Sequence, residues 1–283
     1  MSQTIYELKS FGQKRFRMQQ FDASARSLRT LLNSYDIDPL KIAATKEGVE
    51  NQTFMVDTRD QQYVLRVYRK DKKTTLEIEA EIDFMEFLGE RGLPVPRVVP
   101  NKRARRVTEH VIDGTRWQCI LMKRIPGQHP TVFTKRLLSE LARLQARLHV
   151  LGAEYALERG AQSGRHIILA TRQVDIIRLP YGYSHFDITT YNLLVKNGHI
   201  TGLLDFDDMS FGPFADCLAI TILRSSDIVM GPRLRKAYLA DYQAVRPLMW
   251  RERQRLRTHL LLNRRPFSVA LRLRSNTSQG IEQ

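Results

Sequence analysis

The feature that most constrains the fold of this chain is a pair of short apolar runs on either side of Asn197-Gly198. The first run, residues 193–195, reads LLV, and the second, residues 200–204, reads ITGLL. An Asn-Gly dipeptide between apolar runs is the strongest short-range signal for a two-residue turn between antiparallel strands. The sequence therefore predicts a β-hairpin here.

The predicted hairpin brings oxygen-bearing side chains together at its open end. With Asn197-Gly198 as the turn, the expected pairs are Lys196 with His199, Val195 with Ile200, and Asn192 with Leu203. Asp205 then lies one diagonal step from Asn192, roughly 7 Å away, and Asp187 precedes the hairpin on a loop. Carboxylate and amide oxygens suit a hard cation such as magnesium, whereas clustered carboxylates without a cation would repel each other.

These residues also carry a resemblance to a known enzyme family. The pattern H-x-D-x-x-x-x-N, present as residues 185–192 (HFDITTYN) and followed by Asp205, resembles the catalytic loop of aminoglycoside phosphotransferase and choline-kinase-type enzymes. The resemblance covers about residues 40 to 220. It implies an α+β, two-lobed protein kinase-like fold, with a small, mostly antiparallel β N-lobe and a larger helical C-lobe. It also implies ATP, with GTP as an alternative, and Mg²⁺ as cofactors.

The resemblance implies a role for each polar residue of this stretch. Asp187 would be the catalytic base that orients the acceptor hydroxyl, while Asn192 and Asp205 would hold magnesium on the nucleotide phosphates. His185 would brace the loop, since no nucleophile elbow lies near it to form a triad. The alternative interpretation is a solvated acidic hairpin, but the combined spacing is more specific than any single residue.

The same resemblance extends beyond the hairpin to Asp216. This residue follows Gly212-Pro213, and in the family an aspartate at this position supports the catalytic loop by accepting its backbone amide hydrogens. Asp207 and Asp208 are left open, as residues that assist metal or acceptor binding or that face water.

A nucleotide-binding loop is expected at Gly48 to Asn51. A glycine there lets backbone amides approach phosphate oxygens closely, and the string GVEN before an apolar strand resembles the nucleotide loop of type II homoserine kinases. Gly48 and Asn51 are therefore candidate nucleotide-binding residues.

Arg66 is the candidate phosphate anchor. Alternation along the predicted strand 63–68 places it on one face with Val64 and Tyr68, so its charge requires a partner. The resemblance implies that Arg66 grips the α and β phosphates. Its implied partner is Glu81 on a predicted helix, residues 76–90, with Glu77 and Glu79 as alternatives.

The link between the two expected lobes follows a third apolar segment. Residues 117–125 (WQCILMKRI) end at Pro126-Gly127, as a strand leading into an interlobe linker does in a two-lobed kinase. By this resemblance, backbone groups near Met122 to Arg124 would hydrogen-bond the adenine. We expect a basic tail at 1–20, an N-lobe at 21–124 and a C-lobe at 125–283.

Two helices and one histidine complete these expectations. Asp22 is expected to cap a helix through residues 27–35. Leucines spaced three to four residues apart predict a central C-lobe helix at 136–151. His149 near its end is expected to be a core histidine rather than a ligand.

The net charge and the cysteines limit which ligands and which cellular compartment are expected. The net charge of +15 favours an anionic partner such as nucleotide phosphate and disfavours a polycationic aminoglycoside acceptor. Cys119 and Cys217 form neither a disulfide framework nor a zinc pattern. With no signal peptide or membrane span in the sequence, a cytoplasmic protein is expected.

The sequence thus predicts an enzyme that moves a nucleotide γ-phosphate to a hydroxyl of a small molecule, either homoserine or another amino alcohol, or an aminoglycoside-like acceptor. One alternative is a protein Ser/Thr kinase of the same fold. The other is a silent kinase-like module whose arginine-rich C-terminal region contacts nucleic acid or an acidic partner. We do not expect a nucleic-acid partner, although that region keeps the alternative open, and oligomeric state stays open too.

Overall fold

A computed structural model of the chain describes residues 24–45, 51–69, 72–112, 114–159, 165–166, 179–224 and 231–262. The expected basic tail, Asp22 and Gly48 lie outside these ranges. Within them, no helix is both long and apolar enough to cross a membrane.

The N-terminal half is built on one antiparallel sheet of six strands. The strands are β1 (Lys41–Ala44), β2 (Gln52–Asp57), β3 (Gln62–Val67), β4 (Val98–Val99), β5 (Thr108–Ile112) and β6 (Thr115–Lys123). Their order is β1-β2-β3-β6-β4, and β5 also pairs with β6. In β3, alternation buries Tyr63, Leu65 and Val67 on one face, which leaves Arg66 on the opposite face.

Two helices flank this sheet. Helix α1 (Ala25–Asn33) packs Leu28, Leu31 and Leu32 against sheet residues that include Trp117. Its N-cap is Ser24, whose side chain accepts the Ser27 N–H, so the expectation that Asp22 caps this helix is wrong. Ser24 directly precedes the first helical residue, the position from which a hydroxyl reaches the amide of the third helical residue.

Helix α2 (Thr75–Glu90) agrees with the predicted helix and lies between the sheet and the C-terminal half. A capping box between Thr74 and Glu77 fixes its start. Its buried residues, including Ile78, Ile82 and Met85, join a core shared with C-terminal helices. Movement of α2 is therefore coupled to packing in both halves.

The C-terminal half is mainly helical. Its helices are α3 (Lys135–Arg159), α4 (Phe214–Arg224), α5 (Pro232–Gln243) and α6 (Trp250–Leu262). Its short strands are β7 (Arg165–His166), β8 (Tyr181–Ser184), β9 (Leu193–Lys196), β10 (His199–Leu203) and β11 (Ser210–Pro213). The predicted central helix corresponds to α3 but continues to Arg159. A small β half and a helical half confirm the expected fold class.

His149 is a core residue, as predicted. It is fully buried, its ring stacks on Phe214 with centroids 4.7 Å apart, and its Nδ1 lies 2.6 Å from the Tyr242 hydroxyl oxygen. Burial, reinforced by the charge of Arg246, lowers the pKa of His149 well below its ordinary value. The imidazole is therefore neutral in the folded protein.

This neutral histidine predicts a loss of stability in mild acid. Below a pKa of about 6.5 the unfolded chain protonates His149 and the folded chain does not, so the free energy of unfolding should fall by about 1 kcal/mol between pH 6.5 and 5.5 from this residue. Urea unfolding of the wild type and of His149→Gln at these pH values measures the difference in slope. Equal slopes in the two proteins would contradict the assignment.

Candidate active site

The hairpin expected from Asn197-Gly198 is present, with β9 and β10 as its strands. Both turn residues have positive φ, 53° for Asn197 and 75° for Gly198, as a type I′ turn requires. Next to the turn, Lys196 pairs with His199 and Val195 with Ile200. These pairings confirm the predicted register near the turn.

The register shifts by one residue beyond Ile200, so the predicted pairing of Asn192 with Leu203 is wrong. Leu203 instead pairs with Leu193, and the Leu204 N–H donates to the Asn192 carbonyl at 2.8 Å. The cause is a bulge at Thr201, whose hydroxyl donates to the Pro126 carbonyl at 2.7 Å. Leu204 therefore lies opposite Asn192, and Asp205 is the next residue along the chain.

Asn192 and Asp187 are in direct contact. The Asn192 side-chain amide donates to the Asp187 carbonyl at 2.8 Å and to its carboxylate Oδ2 at 3.0 Å. These two bonds orient the amide nitrogen toward Asp187, so the amide oxygen of Asn192 points the opposite way. That oxygen is the atom expected to bind a cation.

His185 connects this loop to the end of β10. Its Nδ1 accepts the Asp187 N–H at 3.2 Å, and its Nε2 lies 2.7 Å from the Leu204 carbonyl. A carbonyl only accepts, so the proton is on Nε2 and the ring is neutral. These contacts are those of a bracing residue.

Two non-glycine residues beside the site have left-handed backbones, Phe186 with φ 59° and Asp205 with φ 62°. Each such residue is strained by about 1–3 kcal/mol. Phe186 is held by burial against Cys217 and Ile220. Strain of this kind persists where the surroundings over-determine the backbone, which is typical of functional sites.

Asp205 faces the N-terminal half. Its Oδ1 lies 3.2 Å from Arg66 Nη1, is itself buried and has no hydrogen-bond partner among the described residues. Arg66 Nη1 also lies 3.4 Å from Glu81, the partner expected from the sequence. Burial alone would lower the pKa of Arg66, but the neighbouring carboxylates, Asp205 first, raise it above its ordinary value.

Sequence reasoning missed Lys72 and Lys73, which precede α2 and reach the C-terminal half. Lys73 Nζ lies 2.7 Å from Glu81 and 2.8 Å from Asp207, and Lys72 is also ion-paired with Asp207. Burial would raise the pKa of Asp207, but the two lysines lower it below its ordinary range. The sequence did contain a signal for these contacts, namely two adjacent lysines directly before a predicted helix. Cations are unfavourable at a helix N-terminus, so a carboxylate partner elsewhere in the fold is expected for them.

Asp216 does not have the partners expected for it. Its carboxylate accepts hydrogen bonds from Arg255 (2.8 and 2.9 Å) and lies 2.8 Å from His259 Nε2. Both partners belong to α6, and within the described chain no bond from the catalytic loop reaches it. Because Asp216 lies in the first turn of α4, its side chain points to the packed helix, so it joins α4 to α6.

The expected adenine contact at Met122 to Arg124 stays a prediction, although the sheet already uses backbone amides of this segment. The Lys123 N–H donates to the Arg97 carbonyl at 2.9 Å, and the Arg124 N–H donates to the Gln62 carbonyl at 3.0 Å. Met122 lies inside β6, paired with strands on both sides. The sheet therefore uses these amides, and the next amide along the chain is that of Ile125.

Asn51, the last residue of the expected nucleotide loop, lies beside the end of β3. Its side-chain oxygen accepts the Arg69 N–H at 3.2 Å. This bond holds the end of the loop against the sheet but leaves any phosphate contact of Asn51 as a prediction.

The linker that follows Ile125 packs directly on the hairpin. Gln128 and Val195 exchange two backbone hydrogen bonds of 3.0 and 2.8 Å. Gly127 has φ 152°, and a Cβ there would lie 2.7 Å from Thr201 Oγ1 and 3.2 Å from the Val195 nitrogen. The linker and the hairpin are therefore in contact without room for a side chain.

Gly127→Ala should consequently destabilise the protein by more than the about 1–2 kcal/mol expected from left-handed strain alone. Gly198→Ala is the matched control, because Gly198 also has positive φ but nothing within 4 Å of its Cβ position. Thermal unfolding of both variants measures the difference. Equal loss in both would mean that the linker contact contributes nothing.

The donors present fit a magnesium–nucleotide site. Within the described ranges no three His, Cys, Asp or Glu side chains converge on a metal position. Protein ligation would thus come from the Asn192 amide oxygen and the Asp205 carboxylate, whose Oδ1 lacks a hydrogen bond. Magnesium characteristically takes one or two carboxylates and completes its shell with phosphate and water.

Comparison with known proteins identifies kinases with similar sequences. The sequence is 26% identical to a homoserine kinase of Gluconobacter oxydans over 84% of this chain and 84% of that protein. It is 28% identical to a homoserine kinase of Xanthobacter autotrophicus over 83% and 81%.

Solved structures show the same fold. An aminopropanol kinase associated with a microcompartment superposes with a TM-score of 0.67 at 21% identity, covering 84% of this chain and 86% of that one. An amicoumacin kinase bound to AMP-PNP and Ca²⁺ superposes with a TM-score of 0.69 at 18% identity, covering 85% and 86%.

A comparison of the sequence with protein-family profiles identifies the family of this chain. The comparisons give no support to the protein kinase or binding-module alternatives. The profile of the phosphotransferase enzyme family matches residues 41–257, which is most of the chain and includes every site residue above. The chain therefore belongs to the phosphotransferase enzyme family and is a small-molecule kinase.

Proposed function

We propose that this enzyme transfers the γ-phosphate of ATP to the hydroxyl group of homoserine or a closely related amino alcohol, with Mg²⁺ as the cation. The phosphotransfer part of the proposal rests on the contact of Asn192 with Asp187 and on the position of Asp205 directly after Leu204, whose N–H donates to the Asn192 carbonyl. The acceptor is supported by the homoserine kinases that match along most of their length and by the aminopropanol kinase of similar fold.

The charge of the protein supports the same acceptor class. Homoserine is zwitterionic and an aminoglycoside is polycationic, and the net charge of +15 repels a polycation at long range. A small zwitterion experiences no such net repulsion.

The proposed mechanism relies on positioning and on charge neutralisation. Asn192 and Asp205 would hold magnesium, which would supply positive charge to the nucleotide phosphates. Asp187 orients the acceptor hydroxyl and takes its proton, and Asn192 fixes the Asp187 carboxylate through the 3.0 Å bond to Oδ2. Arg66 binds the α and β phosphates, with Glu81 holding its guanidinium.

The remaining roles follow from the fold. Backbone groups of the linker, beginning at Ile125, bind the adenine. The proposed N-lobe, residues 21–124, thus binds the nucleotide, and the proposed C-lobe, residues 125–283, provides the base and the acceptor pocket. A cytoplasmic location stays a prediction.

A coupled ADP-release assay tests this function. Purified enzyme is given MgCl₂ and ATP or GTP with L-homoserine, 1-amino-2-propanol, spectinomycin or a serine-containing peptide. We expect kcat/KM to be highest with ATP and one of the two amino alcohols. A preference for spectinomycin or for the peptide would contradict the proposed acceptor, and product identity is checked by phosphorus NMR.

A further inference from the structure

The expected roles of Arg66, Glu81 and Asp205 leave part of their surroundings unexplained. Six charged side chains meet between the two halves, and we refer to them as the charge cluster: Arg66, Lys72, Lys73, Glu81, Asp205 and Asp207. The cluster is balanced, with three cations and three carboxylates. All three cations come from the N-terminal half, and two of the carboxylates come from the turn after β10.

Lys73, like Arg66, contacts carboxylates from both halves. Its ammonium lies 2.7 Å from Glu81 Oε2 on α2 and 2.8 Å from Asp207 Oδ1 on the turn. The side chains of Lys73 and Asp207 are 7% exposed and that of Glu81 is 1% exposed. At such burial water screens the charges weakly, so each ion pair holds its partners in place.

Both partners of the Lys73 bridge are attached to well-packed elements. Lys73 directly precedes Thr74, whose capping box with Glu77 fixes the start of α2. On the other side, Asp207 follows Phe206, which is fully buried with its ring centroid 4.7 Å from that of His185. Lys73 therefore connects two elements that are each held by contacts of their own.

Glu81 and the turn both determine where the expected phosphate-binding and cation-binding groups lie. Glu81 Oε1 lies 3.4 Å from Arg66, while its other oxygen contacts Lys73. Asp205 is two residues before Asp207. An ion pair that fixes Glu81 relative to Asp207 thus fixes Arg66 relative to Asp205.

We infer that Lys73 is a positioning residue for phosphotransfer: by bridging Glu81 and Asp207 it sets the spacing between Arg66 and Asp205 that the magnesium–nucleotide complex requires. Lys73 does not itself contact the reacting atoms. The inference rests on nucleotide binding at the proposed site but not on which acceptor the enzyme uses.

Lys72 provides a matched comparison. It is ion-paired with Asp207 like Lys73, whereas of these two lysines Lys73 is the one that pairs with Glu81 in the part of the chain that the structure describes. If the lysines act only by neutralising Asp207, their replacement should have equal effects. If bridging matters, Lys73 should matter more.

Titration calorimetry with AMP-PNP in excess MgCl₂ tests this inference on Lys73→Met, Lys72→Met and Lys73→Arg. Loss of a residue that orients ligand-binding groups characteristically weakens binding by about 10–100-fold. We therefore expect at least about tenfold weaker binding for Lys73→Met and at most about threefold for Lys72→Met. Lys73→Arg, which retains a cation, should recover most of the affinity. In steady-state assays Lys73→Met should raise KM for ATP and leave KM for the acceptor unchanged.

Wild-type affinity in Lys73→Met, or equal losses in the two Met variants, would overturn the inference. If Lys73→Met does not fold, the double variant Lys73→Gln/Glu81→Gln removes one charge of each sign and leaves Lys72 paired with Asp207 and Arg66 paired with Asp205. It should still bind AMP-PNP weakly, and wild-type binding would likewise reject the bridge. Because calorimetry needs no acceptor, a wrong acceptor assignment would leave this result unaffected.

Discussion

Asp187→Asn is expected to lower kcat by about 10²–10⁴-fold, the contribution typical of a positioned general base. Asparagine has nearly the same shape, so its oxygen can still accept from Asn192, which contacts Asp187 Oδ2 at 3.0 Å in the wild type. The loop should thus keep its geometry while losing the group that takes the hydroxyl proton. KM for ATP should change little.

The control for this variant is Asp241→Asn. Asp241 lies on α5 and forms a surface ion pair of 3.6 Å with Arg143, which contributes little stability. Its replacement should leave kcat within about twofold of the wild type. Retention of wild-type kcat by Asp187→Asn would remove Asp187 from the role of base.

Asp205→Asn is expected to abolish tight binding of the magnesium–nucleotide complex. Loss of an outer-shell partner of a metal site weakens binding by about 10–100-fold, so loss of a proposed direct carboxylate ligand should weaken it by at least about 100-fold. The variant also loses the ion pair of Arg66 with Asp205. Arg66 then has fewer charges to hold it, but its contact with Glu81 remains.

Asp205→Asn and Asp187→Asn should change different kinetic quantities. Asp187→Asn should lower kcat at unchanged nucleotide affinity, whereas Asp205→Asn should lower nucleotide affinity and should require more MgCl₂ for activity. Steady-state kinetics at several MgCl₂ concentrations separate the two effects. Identical profiles for the two variants would contradict the separate roles.

The sequence predicted those features of the fold that depend on interactions between residues close together in the chain. Asn197-Gly198 predicted the turn because few other residues adopt positive φ at both positions. Arg66 predicted a carboxylate partner because a charge on a half-buried strand needs one, and the structure has Glu81 in contact with it. The extent of α2 followed from the spacing of its apolar residues.

The errors arose where distant parts of the chain determine the outcome. The bulge that shifts the hairpin register depends on a bond from Thr201 to the linker. The partners of Asp216 lie about forty residues away on α6. Neither contact leaves a pattern within its own segment, so the sequence predicted the residues but not all of their partners.

Calorimetric titration of AMP-PNP into the wild-type enzyme and into Asp205→Asn, each with MgCl₂ and with EDTA, tests the central claim most directly. The claim is that Asn192 and Asp205 hold the metal–nucleotide complex beside Asp187. It predicts tight binding only for the wild type with MgCl₂. Equal binding with EDTA, or wild-type affinity in Asp205→Asn, would contradict it.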